Sequence, residues 1–204
     1  MKHHQRSTSS PTGRGASGQL RIIGGQWRGR KLRFNEVAGL RPTGDRIRET
    51  LFNWLAPVMA GAHCLDLFAG SGALGLEALS RGAASSTMVE IHPKAASILK
   101  DNCQLLRAEG AEVVVAEALG WLEATHPAQP FDVVFLDPPF SANLLQPCLN
   151  LLSRPGLLAP DAYIYTEADR NQPPPVTPAD FSLAKEKNAG QVCYRLYRLF
   201  EKGA

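Results

Sequence analysis

The chain has 204 residues, 44% of them hydrophobic, which suffices for one sizeable core and favours one domain with a short appendage over two domains. Its formal net charge of +3 conceals an asymmetry: residues 1–48 carry 11 Lys or Arg against 2 acids, leaving 11 against 17 for residues 49–204. No stretch reaches the ~18 apolar residues of a membrane span, and the polar N-terminus lacks a signal peptide's apolar core. Cys64, Cys103, Cys148 and Cys193 are widely spaced, with no C-x-x-C pair and no histidine spacing that builds a metal site, so reduced structural thiols are expected. These features exclude membrane and metal partners and point to the cytoplasm. They suggest a basic arm for a polyanion on an acidic body.

Residues 1–18 are rich in Ser, Thr, Gly and basic residues, with almost nothing apolar to bury, and read as a disordered basic tail. Residues 19–57 read as an appended hairpin and helix, and residues 58–204 as the body. Short strand-like runs flank Gly24-Gly25, and Arg21, Arg28, Arg30, Lys31 and Arg33 give the hairpin a positive face suited to phosphates. Trp27 and Phe34 either stack on bases or, the favoured reading, anchor the hairpin. A helix follows, with Thr43 as its cap, Ile47, Leu51, Trp54 and Leu55 as its apolar stripe, and Arg41, Arg46 and Arg48 on its polar side.

Cys64, Leu65, Leu67 and Phe68 form the apolar run of a strand covered on both faces, followed by Gly70-x-Gly72-x-x-Gly75 and a helix over 73–81. The glycines let a ligand sit against bare backbone at a helix start. An acid, Glu90, ends the next strand, over 85–91, where it can accept both ribose hydroxyls of a nucleoside. This spacing alone also fits dinucleotides. Asp66 shifts the reading, because a carboxylate just before the turn crowds a pyrophosphate but suits a cofactor bearing an ammonium and a sulfonium. Asp66-x-Phe68-x-Gly70-x-Gly72 resembles the first motif of class I S-adenosylmethionine (SAM) methyltransferases. That resemblance implies a SAM site at Asp66, Phe68, Gly70, Gly72 and Glu90. Glu117, after a third strand at 113–115, stands where such enzymes often place an Asp beside the adenine, and its Glu departs from that pattern.

The fourth strand, Phe131-Asp132-Val133-Val134-Phe135-Leu136, runs straight into Asp137-Pro138-Pro139-Phe140, where two prolines fix an acid and an aromatic in one relation. This segment resembles the (Asn/Asp)-Pro-Pro-(Tyr/Phe) motif of methyltransferases that modify exocyclic amines. The nitrogen lone pair of a nucleobase amine is delocalised into the ring. Acceptors at Asp137 and the Pro138 carbonyl draw it toward tetrahedral shape, while Phe140 stacks on a base taken out of its helix. Guanine presents adjacent N1–H and N2–H donors to an acceptor-only carboxylate, whereas adenine pairs a donor with an acceptor. Cys148 lies in the apolar helical run 144–152 and reads as core, not nucleophile. A fifth strand is expected over 158–166, and strands over 181–187 and 191–200 form a closing antiparallel hairpin.

The expected fold is α/β: a class I methyltransferase, Rossmann-like sheet of seven strands, mostly parallel with one antiparallel strand, helices on both faces, and a small N-terminal hairpin and helix. Ile22-Ile23-Gly24-Gly25, Arg28-Gly29-Arg30, Arg41-Pro42-Thr43, Asp45-Arg46-Ile47-Arg48-Glu49 and Leu51-Phe52-Asn53, with the two motifs above, resemble the RsmD family of bacterial 16S rRNA guanine-N2 methyltransferases. The resemblance implies a SAM cofactor, 16S rRNA in the small ribosomal subunit or its assembly intermediate, catalysis at Asp137, Pro138, Pro139 and Phe140, and a monomer. Three rivals remain: an adenine-N6 methyltransferase; an NAD-dependent oxidoreductase, which leaves Asp66, the Asp-Pro-Pro-Phe motif and the arm unused; and a noncatalytic RNA-binding module, which needs only the arm.

Overall fold

The structure, a computed structural model, describes residues 17–35 and 44–200. Arg41, the cap at Thr43 and the tail as far as residue 16 lie outside the described residues. Ser17 and Gly18, placed in the tail by composition, instead open β1 (Ser17–Arg21), which pairs antiparallel with β2 (Lys31–Asn35). The hairpin does not turn tightly at Gly24-Gly25. A loop over 22–30 connects the strands, closed by Ile22 N–H to the Arg30 carbonyl at 3.0 Å and Gly29 N–H to the Ile22 carbonyl at 2.8 Å. The loop is docked rather than free: a Cβ on Gly25, which has φ +72°, would lie 1.7 Å from the Ser80 carbonyl oxygen.

Helix α1 (Asp45–Leu55) follows the extended Gly44 without a side-chain cap and buries Ile47, Leu51, Phe52 and Leu55. Its half-buried Trp54 stacks on Tyr194, with ring centres 5.5 Å apart. The body is a seven-stranded sheet of β3 (His63–Asp66), β4 (Ser85–Glu90), β5 (Ala111–Val115), β6 (Phe131–Leu136), β7 (Leu158–Asp169), β8 (Phe181–Ala189) and β9 (Val192–Leu199). Their order is β5-β4-β3-β6-β7-β9-β8. Of the closing hairpin only β9 runs against its neighbours, so the sheet has the one antiparallel strand expected. β7 extends to Asp169 because β9 pairs with it from Tyr163 to Asp169, and that pairing prolongs the strand past the expected end.

Helices α2 (Gly75–Ser80), α3 (Pro93–Leu106), α4 (Ala118–Ala124) and α5 (Leu145–Leu152) complete the layers. Alternate residues of each strand face opposite sides. Cys64, Val133, Phe135 and Tyr165 pack with Leu51, Phe52 and Leu55 of α1, while Leu65, Val134, Leu136 and Ile164 pack with Leu122 of α4 and Cys148, Leu149 and Leu152 of α5. Burial on both faces accounts for the continuous apolar runs of β3 and β6. A third cluster joins Leu20, Ile22 and Leu32 of the N-terminal segment to Leu76, Leu79, Met88 and Leu99, so the hairpin shares its apolar core with the body. Trp27 and Phe34 pack against this cluster, in line with anchoring. The chain moves from β3 outward through β4 and β5, then returns to place β6 on the other side of β3. Ligands bind at such a reversal, outside the carboxyl ends of the strands.

Candidate active site

Both sequence motifs leave the sheet at this reversal. Asp66 ends β3 and Asp137 follows β6, and the register sets Asp66 beside Phe135 on the neighbouring strand. Asp66 is buried and its Oδ2 accepts the Gly75 N–H at 2.9 Å, clamping the start of α2. The intervening loop closes through Gly72 N–H to the Ala69 carbonyl at 2.7 Å, and α2 occupies Gly75–Ser80 of the expected 73–81. The two glycines of the turn differ in purpose. A side chain on Gly70, at φ +50°, would meet no neighbour closer than 3.9 Å, whereas one on Gly72 would strike Leu99 at 2.4 Å. Gly70 therefore offers bare backbone to a ligand, and Gly72, expected at the cofactor, is a packing glycine that does not line the cavity.

That cavity measures about 260 Å³, and Asp66, Phe68, Gly70, Glu90, Glu117 and Asp137 all line it. Glu90 holds the loop as well as facing the cavity: its Oε2 accepts the Gly70 N–H at 2.9 Å and its Oε1 the His92 N–H at 2.7 Å. A carboxylate has about four acceptor positions, so two backbone bonds leave capacity for ribose hydroxyls. Glu117 gains a role that its spacing did not announce. It caps α4, accepting Leu119 N–H at 3.0 Å and Gly120 N–H at 2.7 Å. Phe34, reaching in from β2, and Ile91, exposed just after β4, add apolar wall that the sequence reading missed.

Burial pushes the Asp66 carboxyl up to about 7; the Gly75 N–H opposes this, and the charges of Asp137 and Glu90 add to it. The pocket is thus an acid-lined site that a cationic ligand relieves. Cys148 is inert for nucleophilic work, since burial raises its thiol to about 12. Beyond the motif, Pro138, Pro139 and Phe140 line a second cavity of about 140 Å³ with Glu167 and Gln172. Pro139 borders both cavities, so Asp137-Pro138-Pro139-Phe140 forms the partition between them.

Arg28, Arg30, Lys31, Arg33 and Arg46 are exposed, as a phosphate-binding arm requires. Arg21 is exposed too and pairs with Asp45 at 2.9 Å. Arg48 corrects the expectation: its side chain is 0% exposed and cannot reach a nucleic acid. It donates to the Arg21 carbonyl at 2.9 Å and to Asp45 at 2.6 Å, and faces Glu77 at 3.5 Å. Glu77, unremarked in the sequence, is the hub of this join. It accepts the Ile23 and Gly24 N–H groups, each at 2.8 Å, and the Arg81 Nε at 2.7 Å. The only advance sign was the Glu77 to Arg81 spacing on one helix face.

Comparison with known proteins agrees with this geometry. The family model described as conserved hypothetical protein 95 matches residues 20–198. The chain is 53% identical to ribosomal RNA small subunit methyltransferase D of Escherichia coli strain K12, over 92% of this chain and 93% of that protein. It is 49% identical to the protein of the same name from Haemophilus influenzae, over 90% and 95%. The solved Escherichia coli protein yhhF superposes with a TM-score of 0.80 at 54% identity, covering 90% of this chain and 99% of that one. An RNA methyltransferase of Salinibacter ruber, solved with S-adenosyl-L-homocysteine, shares the fold at a TM-score of 0.60 and 17% identity, over 80% and 97%. With an acid-lined glycine loop, an Asp-Pro-Pro-Phe partition and relatives aligned over nearly their whole length, this chain belongs to the RsmD family of methyltransferases.

Proposed function

We propose that this protein transfers a methyl group from SAM to the exocyclic N2 of a guanine in 16S rRNA, acting as a cytoplasmic monomer on the small ribosomal subunit or its assembly intermediate. The observation that carries the reading is the pairing of β3 with β6, which brings Asp66 and the glycine loop alongside Asp137 and its two prolines. The names of the relatives, small-subunit ribosomal RNA methyltransferases, support the substrate class.

The residues present fit SAM. Asp66 and Glu90 offer negative charge to its cationic groups, Glu90 has acceptor capacity for the ribose, and Phe34 and Ile91 give apolar surface for an adenine. Bound there, SAM supplies a methyl carbon whose bond to sulfur breaks as the new C–N bond forms, the sulfur keeping the electron pair. Asp137 and the Pro138 carbonyl accept from the N2 hydrogens and hold the nitrogen lone pair toward the donor, and Asp137 takes the surplus proton and releases it to water. Residues 19–57 serve as the RNA-binding part, with Arg21, Arg28, Arg30, Lys31, Arg33 and Arg46 on phosphates and Arg48 instead fastening this segment to the SAM-binding residues 58–204. The test is transfer from isotopically labelled SAM to unmethylated small subunits, with mass spectrometry of the digested RNA. Label on guanine N2 supports the proposal; label on adenine, on cytosine carbon or on no nucleotide overturns it.

A further inference from the structure

The second cavity holds a group that neither motif contains. In the β6 and β7 register, Phe135 lies beside Tyr165 and Leu136 beside Thr166, so Asp137, just past the end of β6, and Glu167, which β7 carries past that end, come next to each other. Glu167 is 3% exposed yet lines the cavity beyond the partition, with Phe140 and Gln172. Its Oε1 accepts the Tyr165 hydroxyl at 2.8 Å, a bond that fixes the side chain in place. A carboxylate has about four acceptor positions, so the bond to Tyr165 leaves Glu167 capacity for a donor of a ligand in the cavity beside the proposed reaction centre.

We infer that Glu167 is the specificity-determining residue of the methyl-accepting site: it accepts the N1–H of guanine while Asp137 faces the neighbouring N2. This rests on the guanine-N2 reading above and divides the two donors between two carboxylates. The ring nitrogen next to the exocyclic amine is a donor only in guanine; in adenine and cytosine it is an acceptor, which a carboxylate repels. Tyr165 is a positioning residue, acting through Glu167.

The discriminating substrate is the small subunit carrying 2-aminopurine at the methylated position, since this base keeps the N2 amine but replaces N1–H by an acceptor. The wild-type protein is expected to favour guanine over 2-aminopurine by about 10²-fold or more in kcat/KM, the scale on which a site built for a hydrogen bond rejects an analogue lacking it. Glu167→Gln can turn an amide N–H toward the acceptor, so the ratio should fall by at least about tenfold, with SAM affinity unchanged. A wild-type ratio near one, or the same ratio in the variant, overturns the inference. Should Glu167→Gln fail to fold, Tyr165→Phe removes the bond that positions Glu167 and should lower the same ratio, and an unchanged ratio there overturns the inference. Failure of the underlying reading is separately visible, because mass spectrometry would then find no methyl on guanine N2 in the wild-type reaction.

Discussion

Two buried carboxylates bracket the glycine loop, Asp66 before it and Glu77 within the helix after it, and their surroundings are opposite. Glu77 meets two guanidinium groups and two backbone N–H groups. Asp66 takes backbone N–H groups, and the charges nearest it are further acids, Asp137 and Glu90. Equal burial therefore serves two ends. Glu77 is a charge the protein itself neutralises in order to join its arm to its body, whereas Asp66 is held in a state that a cationic ligand improves. A buried acid among cations marks architecture, and one among acids at a cavity marks a site.

The most severe way to break this comparison is to remove the satisfied member. Glu77→Ala takes from Arg48 its buried counter-charge and frees the Ile23 and Gly24 amides, so a loss of about 3–5 kcal/mol is expected. In a thermal melt that corresponds to roughly 6–20 °C for a chain of this size. A melting point within about 2 °C of wild type would show that the join contributes little.

Second in size is Asp137→Asn, which touches chemistry rather than architecture. The side chain keeps its shape but trades an acceptor oxygen for a donor facing the amine. Methyl transfer at saturating SAM should drop by about 10²-fold or more, while the melting point stays near wild type. Full activity in the variant would remove Asp137 from the reaction.

The comparison also explains what could be read from the chain beforehand. That Asp66, Gly70, Glu90 and Asp137 line one cavity was legible because Asp66, Glu90 and Asp137 stand at or just past strand ends and Gly70 in the turn that follows one of them. The hub at Glu77 was not, because its backbone donors come from residues 53 and 54 positions earlier. Arg48 looked like its basic neighbours for the same reason, since only the docking of the arm separates a buried arginine from an exposed one. Glu167 was hidden by a single residue. The fifth strand, read from its own apolar pattern, ended at Thr166, and it is pairing with β9 that carries it on to Glu167 and the second cavity. Gly72 was assigned to the ligand by motif, while its real neighbour, Leu99, belongs to a helix beyond the next strand.

A third test uses pH to sharpen the contrast. The folded carboxyl of Asp66 is raised to about 7 from an ordinary 3.8, so the folded state holds a proton that the unfolded state has lost across that interval. Stability of the ligand-free protein should accordingly decline as pH rises from about 4 to about 7 and level off above. SAM binding should show the reverse sign: its positive groups favour ionised Asp66, so affinity should climb between about pH 5 and pH 7, by at most about tenfold per unit, and flatten beyond. Calorimetry on wild type and Asp66→Asn checks both, since the asparagine can still accept the Gly75 N–H but has no proton to lose. Identical pH profiles in the two proteins would mean that another group carries the effect.

The smallest expected effect concerns the arm that Glu77 holds in place. Arg28 and Arg30 are exposed, so their attraction to phosphates is screened by salt and each contributes modestly. A gripped phosphate betrays itself by counterion release, and each phosphate set free should lower the slope of log affinity against log salt by about one unit, or somewhat less for single-stranded RNA. Arg28→Glu with Arg30→Glu should thus weaken RNA binding most at low salt and flatten its salt dependence, with SAM affinity and melting point little changed. The contrast with Arg48 is the decisive control. Arg48→Gln removes a cation of equal charge from the same segment, but one that is 0% exposed, so it should depress the melting point through its bonds to Arg21, Asp45 and Glu77. If the folded Arg48→Gln protein flattened the salt slope as much as the exposed pair, the division of the arm into gripping and fastening arginines would be wrong.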